Sequence, residues 1–140
     1  RDLEAVKSGL ADGTIDVIAS DHAPHTSMEK DVEFEYAAFG MIGLETSLAL
    51  SMKLVKDRVL SLGQLVEKMS MNPARILGVP GGTLKAGSDA DVTVIDPNFC
   101  WKVRLDSLRS RSRNSPFGGW AMEGKALMTL VGGEIRHDET

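Results

Sequence analysis

Residues 15–25 read IDVIASDHAPH. Ile15, Val17, Ile18 and Ala19 form a nearly uninterrupted apolar run. That composition predicts a strand covered on both faces, as in a parallel α/β sheet, better than a half-wet antiparallel one. The run stops at Asp21, His22, Pro24 and His25, and the chain has only one further histidine, His137. In parallel α/β folds the loops beyond the C-terminal strand ends converge on the crevice where ligands bind. The predicted strand would therefore present Asp21 to that crevice. A carboxylate there can ligate a metal, act as a general base, or do both. His25 follows a proline that fixes the turn, so it can lean over the same crevice. From residue types alone, Asp21 also suits a turn or a helix cap. His22 equally suits a histidine packed and hydrogen-bonded under the loop.

Outward from this stretch, the preceding segment carries Leu3, Val6 and Leu10 at helical spacing and Gly13 as a left-handed stop. Helix, short turn and buried strand make half of a βαβ repeat. Residues 26–43 are polar, then aromatic, without a clear period, and read as a long functional loop. Leu44, Leu48, Met52 and Val55 predict an amphipathic helix, with Glu45 as a partner of its N-terminal dipole. Ser61–Gln64 has capping-box spacing and opens a helix whose Leu62, Leu65, Val66 and Met69 share a face. Asn72-Pro73 reads as a cap plus first helical residue, closed by Gly78. Beyond residue 80 the texture becomes β-rich. Residues 91–96 read as a strand and 125–136 as a hairpin around Gly132-Gly133. Trp101 and Trp120 read as packing residues of this β unit.

Composition narrows the function classes. A net charge of −4 argues against a dedicated polyanion binder, and the basic run RSRSR at 109–113 reads as a solvated loop. No apolar stretch approaches the ~20 residues needed to span a bilayer. The single cysteine, Cys100, cannot form an internal disulfide. It reads as a buried, inert thiol in a reducing, cytoplasmic setting. The opening RDLEAVKSG begins in an apparent helix without an initiator methionine, so the chain is expected to be a piece of something longer.

The stretches SDHAPHT (20–26), FGMIGLET (39–46), NPARILG (72–78) and GTLKAGSDADVTVID (82–96) together closely resemble the C-terminal third of bacterial dihydroorotases of the amidohydrolase superfamily. DHAPH alone also suits allantoinases and related cyclic amidohydrolases; the FG-x-x-GLE element narrows the match, whereas GT-x-K-x-G-x-DAD is shared widely across the superfamily. The resemblance implies an α/β fold: a (β/α)₈ TIM barrel flanked by a small β-sandwich. A barrel takes about 250 residues. This chain is therefore expected to hold only the last strand and helices of an incomplete barrel (1–78) plus a C-terminal β-sandwich segment (79–140). The implied activity is zinc-dependent interconversion of N-carbamoyl-L-aspartate and L-dihydroorotate in pyrimidine biosynthesis.

By the same resemblance, Asp21 ligates the zinc and shuttles a proton from the attacking water to the departing amide nitrogen, and His25 binds the substrate carboxylate. Phe39 and Gly40 close on the pyrimidine ring, the aromatic shielding it and the glycine permitting close approach. The family's other metal ligands, an HxH pair, a bridging acidic or modified lysine residue and two later histidines, have no counterpart in the sequence. They are expected upstream, and the isolated chain is expected to be inert. The implied partner is a small-molecule substrate, with no nucleic acid and no membrane; a homodimer and association with aspartate transcarbamoylase are further expectations. The rival readings are another cyclic amidohydrolase, allantoinase or hydantoinase, or a non-catalytic dihydroorotase-like subunit that scaffolds aspartate transcarbamoylase.

Overall fold

A computed structural model describes residues 1–140. Helix α1 (Asp2–Asp12) ends on Gly13, whose φ of 88° is the left-handed stop. Only Leu10 of its predicted apolar face is buried; Leu3 and Val6 are exposed. A short α2 (Ser27–Lys30) follows. Helix α3 (Ser47–Lys56) starts three residues later than its periodicity suggests. Leu44 and Glu45 lie instead in the turn ahead of it.

Two hydrophobic clusters flank α3. On one side Met52 joins Leu10, Leu60 and Leu65, with Leu48, Val55, Ile15 and Ile18 packed against them. On the other, Ala49 meets Val103 and Met122 of the β-rich half, with Trp101 and Phe117 alongside. The helix therefore bridges the halves. Their approach is close: a Cβ on Gly124, whose φ is 95°, would sit 2.8 Å from Met52 Cγ.

The capping box forms as read: the Ser61 hydroxyl accepts from the Gln64 N–H while Gln64 Oε1 accepts from the Ser61 N–H, opening α4 (Leu62–Val66). The predicted break at Asn72-Pro73 is absent. Instead α4, a π-helical turn (Glu67–Met71) and α5 (Asn72–Leu77) run on as one rod, with Asn72 in right-handed helical conformation. The reason lies in proline's missing N–H. In the wider turn the Asn72 N–H reaches Glu67 O. Pro73 leaves the Lys68 carbonyl without a helical donor, and the Ile18 N–H bonds to it at 3.0 Å. The apolar face also differs from its reading: Leu62 and Val66 are substantially exposed, while Leu65 and, unexpectedly, Lys68 are buried. Lys68 Nζ donates to the Ile15 carbonyl at 2.5 Å and Asn72 Nδ2 to the Asp16 carbonyl at 3.0 Å.

These contacts correct the central expectation. Residues 15–20 form no strand and belong to no sheet. They are half-buried to exposed rather than enclosed, because the rod covers one side and no strand of this chain lies beside them. Their one β contact is an isolated parallel bridge just beyond, His22 to Met41.

The C-terminal half forms a three-stranded antiparallel sheet in the order β1 (Val92–Lys102), β2 (Ala121–Val131), β3 (Glu134–Asp138). The β2–β3 turn is the predicted Gly132-Gly133, both residues at positive φ. β1 is irregular between Asp96 and Cys100, around Pro97. Cys100 is exposed there, not buried. Trp101 packs as read, with Nε1 donating to the Gly124 carbonyl at 3.0 Å. Trp120 lies edge-on to Phe117, its ring half open to solvent. No helix is long and apolar enough to cross a membrane.

Candidate active site

Three segments distant in sequence meet beyond the end of the 15–19 stretch: residues 20–26, 38–44 and 110–114. The first two are joined by the His22–Met41 bridge and by the Ala23 N–H donating to the Met41 carbonyl at 2.9 Å. The third closes on the second through the Ile42 N–H, which donates to the Asn114 carbonyl at 3.2 Å, and on the first through the His25 N–H, which donates to Asn114 Oδ1 at 3.3 Å.

Asp21 sits at the rim. It is exposed and takes part in none of the chain's ion pairs or side-chain hydrogen bonds. Its φ of 44° is left-handed, a conformation that short polar side chains tolerate and that clusters at functional sites. His22 is half-buried, and its Nδ1 accepts from the Gly43 and Leu44 N–H groups at 3.1 and 3.4 Å. A neutral ring bonded in this way carries its proton on Nε2 and offers no lone pair to a metal. His22 therefore holds the loop, the bland alternative that its sequence position left open.

His25 and Gly40 come together. A Cβ built on Gly40 would lie 3.8 Å from His25 Nε2 and 2.5 Å from the Ala23 Cβ. With φ at 102° as well, only glycine fits there. Phe39 does not shield anything within this chain: it is 90% exposed. On its other side His25 Nδ1 lies 3.8 Å from Glu29 Oε2. Hydrogen bonds from the Thr26 N–H and hydroxyl, with a smaller contribution from His25, hold the Glu29 carboxyl below the usual glutamate range.

Sequence reading missed the supports. Residues 26–29 form a capping box that opens α2, the Thr26 hydroxyl accepting from the Glu29 N–H; its T-x-x-E spacing is visible in the sequence. Lys30 Nζ donates to the carbonyls of Ala38 and Gly40 at 2.6 and 3.1 Å, anchoring the loop base. Glu45 is not a dipole partner of its helix: its carboxylate accepts from the N–H groups of Arg109 and Ser110. The basic run thus docks through its backbone and serines, while its arginines stay exposed.

The amidohydrolase family pattern matches residues 1–136. The chain belongs to the amidohydrolase family. This amidohydrolase chain is 56% identical over 139 residues to a dihydroorotase of Syntrophus aciditrophicus and 60% identical over 134 residues to one of Geobacter sp. strain M21, covering 99% and 96% of the chain. It spans about a third of the length of those relatives (33% and 32%). Among solved structures it is similar to an L-hydantoinase (dihydropyrimidinase) from Arthrobacter aurescens, with a TM-score of 0.88, 35% identity, and coverage of 96% of this chain and 31% of that one. A D-hydantoinase matches with a TM-score of 0.90, 26% identity, and coverage of 99% and 32%.

As a metal site the arrangement is partial. No group of three or more His, Cys, Asp or Glu side chains gathers anywhere in the chain. Among the three rim segments Asp21 alone offers a carboxylate, and it is unengaged, so the rim fits a metal only as the supplier of one ligand. A zinc centre needs three or four.

Proposed function

We propose that the chain forms one wall of the active site of a zinc-dependent dihydroorotase, which interconverts N-carbamoyl-L-aspartate and L-dihydroorotate in pyrimidine biosynthesis. In this reading residues 1–78 complete a TIM barrel whose last strand is the unpaired 15–20 stretch. Residues 79–140 belong to a β-sandwich, and the remaining metal ligands come from polypeptide outside this chain. The observation that carries it is the rim itself: an unengaged Asp21 held at positive φ, beside a loop pair that sets His25 against a position only glycine can occupy.

Opening a cyclic amide at neutral pH requires an activated water and a proton for the leaving nitrogen. When bound, zinc supplies Lewis-acid activation of the water and polarisation of the amide carbonyl. Asp21 accepts the proton of the attacking water and delivers it to the departing nitrogen. His25 binds the substrate carboxylate, Gly40 lets the main chain approach the ring, and Phe39 covers it from water. The partner is a small molecule; a cytoplasmic location, pairing of two copies and association with aspartate transcarbamoylase are part of the same reading.

The test is a substrate panel of dihydroorotate, allantoin and hydantoin with the complete protein. Dihydroorotate should be preferred, chelation should abolish turnover and zinc restore it, and the isolated chain should be inert. Asp21→Asn keeps the shape and loses the proton acceptor, so kcat/KM should fall about 10²–10⁴-fold. Turnover by the isolated chain, or an active Asp21→Asn enzyme, would refute this account. A preference for hydantoin would favour the rival suggested by the solved structures.

A further inference from the structure

We propose that Ser112 and Asn114, from the β-rich half, form a positioning strap that fixes His25 and the Phe39–Gly40 loop relative to each other. The proposal rests on the function above. Both residues are half-buried in the segment 109–114. Asn114 Nδ2 donates to the Ala23 carbonyl at 2.9 Å and to the Gly40 carbonyl at 3.3 Å. Its Oδ1 accepts from the His25 N–H at 3.3 Å, and its main-chain carbonyl accepts from the Ile42 N–H at 3.2 Å. The Ser112 hydroxyl is placed to donate to the His25 carbonyl and to Asn114 Oδ1, sharing its single proton between them.

Three features distinguish this from ordinary loop packing. Both main-chain polar groups of His25 are held by the strap, so the imidazole's origin is fixed while its Nε2 edge stays turned toward Gly40. One side-chain amide donates to a carbonyl of each loop and also accepts from an N–H of the first. Neither an aspartate nor an aliphatic residue can do both. The contacts of the amide side chain also span 74 to 91 residues of sequence and touch only main chain of the two loops, leaving the His25 ring free of them. The strap thus sets the separation between the group that takes a substrate carboxylate and the glycine that the substrate ring approaches. Neither Ser112 nor Asn114 touches the substrate in this scheme.

The test uses Asn114→Ala, Asn114→Asp, Ser112→Ala and Ser112→Thr in the complete protein, read by dihydroorotate kinetics and by amide hydrogen exchange. Displacing a positioning group by about an ångström can lower kcat/KM about 100-fold. Both Asn114 variants should lower it about 10- to 100-fold, mainly through KM, with exchange accelerated at residues 23–25 and 38–42 and unchanged in β1 and β2. Ser112→Ala should show a smaller loss that Ser112→Thr, keeping the hydroxyl, restores to within about twofold. An unchanged KM despite looser loops would mean that the strap is merely structural and would overturn the proposal, as would unchanged exchange. If the Asn114 variants fail to fold, the Ser112 pair decides by the same criteria. A parent protein that turns over no cyclic amide overturns the proposed function instead. The strap is then judged by exchange: acceleration confined to the two loops upholds it, and global acceleration or none overturns it.

Discussion

Residues 15–19, Ile-Asp-Val-Ile-Ala, and residues 92–96, Val-Thr-Val-Ile-Asp, are written in nearly the same β-branched alphabet. The second is a strand: each residue from Val92 to Asp96 has a partner on β2, with one irregularity. The first is irregular chain with no ladder, held by contacts from a helical rod at Ile15, Asp16 and Ile18. Composition favours an extended chain in both segments, but a ladder needs a neighbour. β1 finds β2 within this chain, and residues 15–19 find none. The accessible surface agrees. At 9843 Å² it exceeds the roughly 7,100 Å² typical of a compact monomer of 15.1 kDa. Much of what lies open is apolar: Phe34, Phe39, Leu84 and Met28 are 91%, 90%, 82% and 81% exposed.

If the rod is what holds residues 15–19, removing its central anchor should release them. Leu65 is 1% exposed and packs in the cluster that Ile15 and Ile18 join. Leu65→Ala should destabilise the chain by about 2–5 kcal/mol in urea titration. Amide exchange should rise first at residues 15–18, while β1 and β2 stay protected. Simultaneous loss of protection in both regions would mean that the two are one cooperative unit and that the contrast drawn here is false.

A finer version removes one polar tether. Asn72→Ala deletes the hydrogen bond to the Asp16 carbonyl, at an exposed position where water can replace it. The loss should be about 0.5–1.5 kcal/mol. Exchange at Ile18 should quicken only modestly, because the Lys68 carbonyl still accepts its N–H. A loss as large as that of Leu65→Ala would show that the tethers, not the buried apolar contact, fix the 15–19 stretch.

The same division between local and distant partners explains what the sequence disclosed. Ser61–Gln64, Gly13, Gly78 and the Gly132-Gly133 turn were legible because each motif completes itself within a few residues. Asp21 and His25 were legible as candidates from their place after the apolar run, Phe39 and Gly40 only through resemblance, and His25 and Gly40 are indeed adjacent. Asn114 was not legible. Its side chain's partners in the two loops lie 74 to 91 residues away, and nothing about an asparagine in RNSPF announces which carbonyls it will meet. Lys68 was not legible as a buried anchor for a related reason. A lysine in a helical pattern reads as solvent-facing, whereas here proline's missing donor draws the Ile18 N–H to the rod beside it, and the ammonium finds a carbonyl at Ile15.

The smallest expected effect tests the local extreme of this comparison. The capping box at Thr26 and Glu29 is complete within four residues, so α2 should form without any neighbour that residues 15–19 lack. Its support depends on an ionised Glu29, whose carboxyl is held below its ordinary value first by the Thr26 N–H and then by the Thr26 hydroxyl. A carboxylate pKa depressed in the folded chain adds support that is complete above the unfolded value, near 4.3, and lost as pH falls through the folded value. Exchange protection at α2 should therefore be lost as pH falls below the unfolded carboxylate value, before the β1–β2 ladder changes. Glu29→Gln keeps an oxygen for the Thr26 N–H but cannot titrate over this range, so it should flatten that response. Identical acid responses in the parent and in Glu29→Gln would show that the cap does not rest on the carboxylate. α2 would then depend on distant contacts, such as the Lys30 tether to Ala38 and Gly40, as the rest of the rim does.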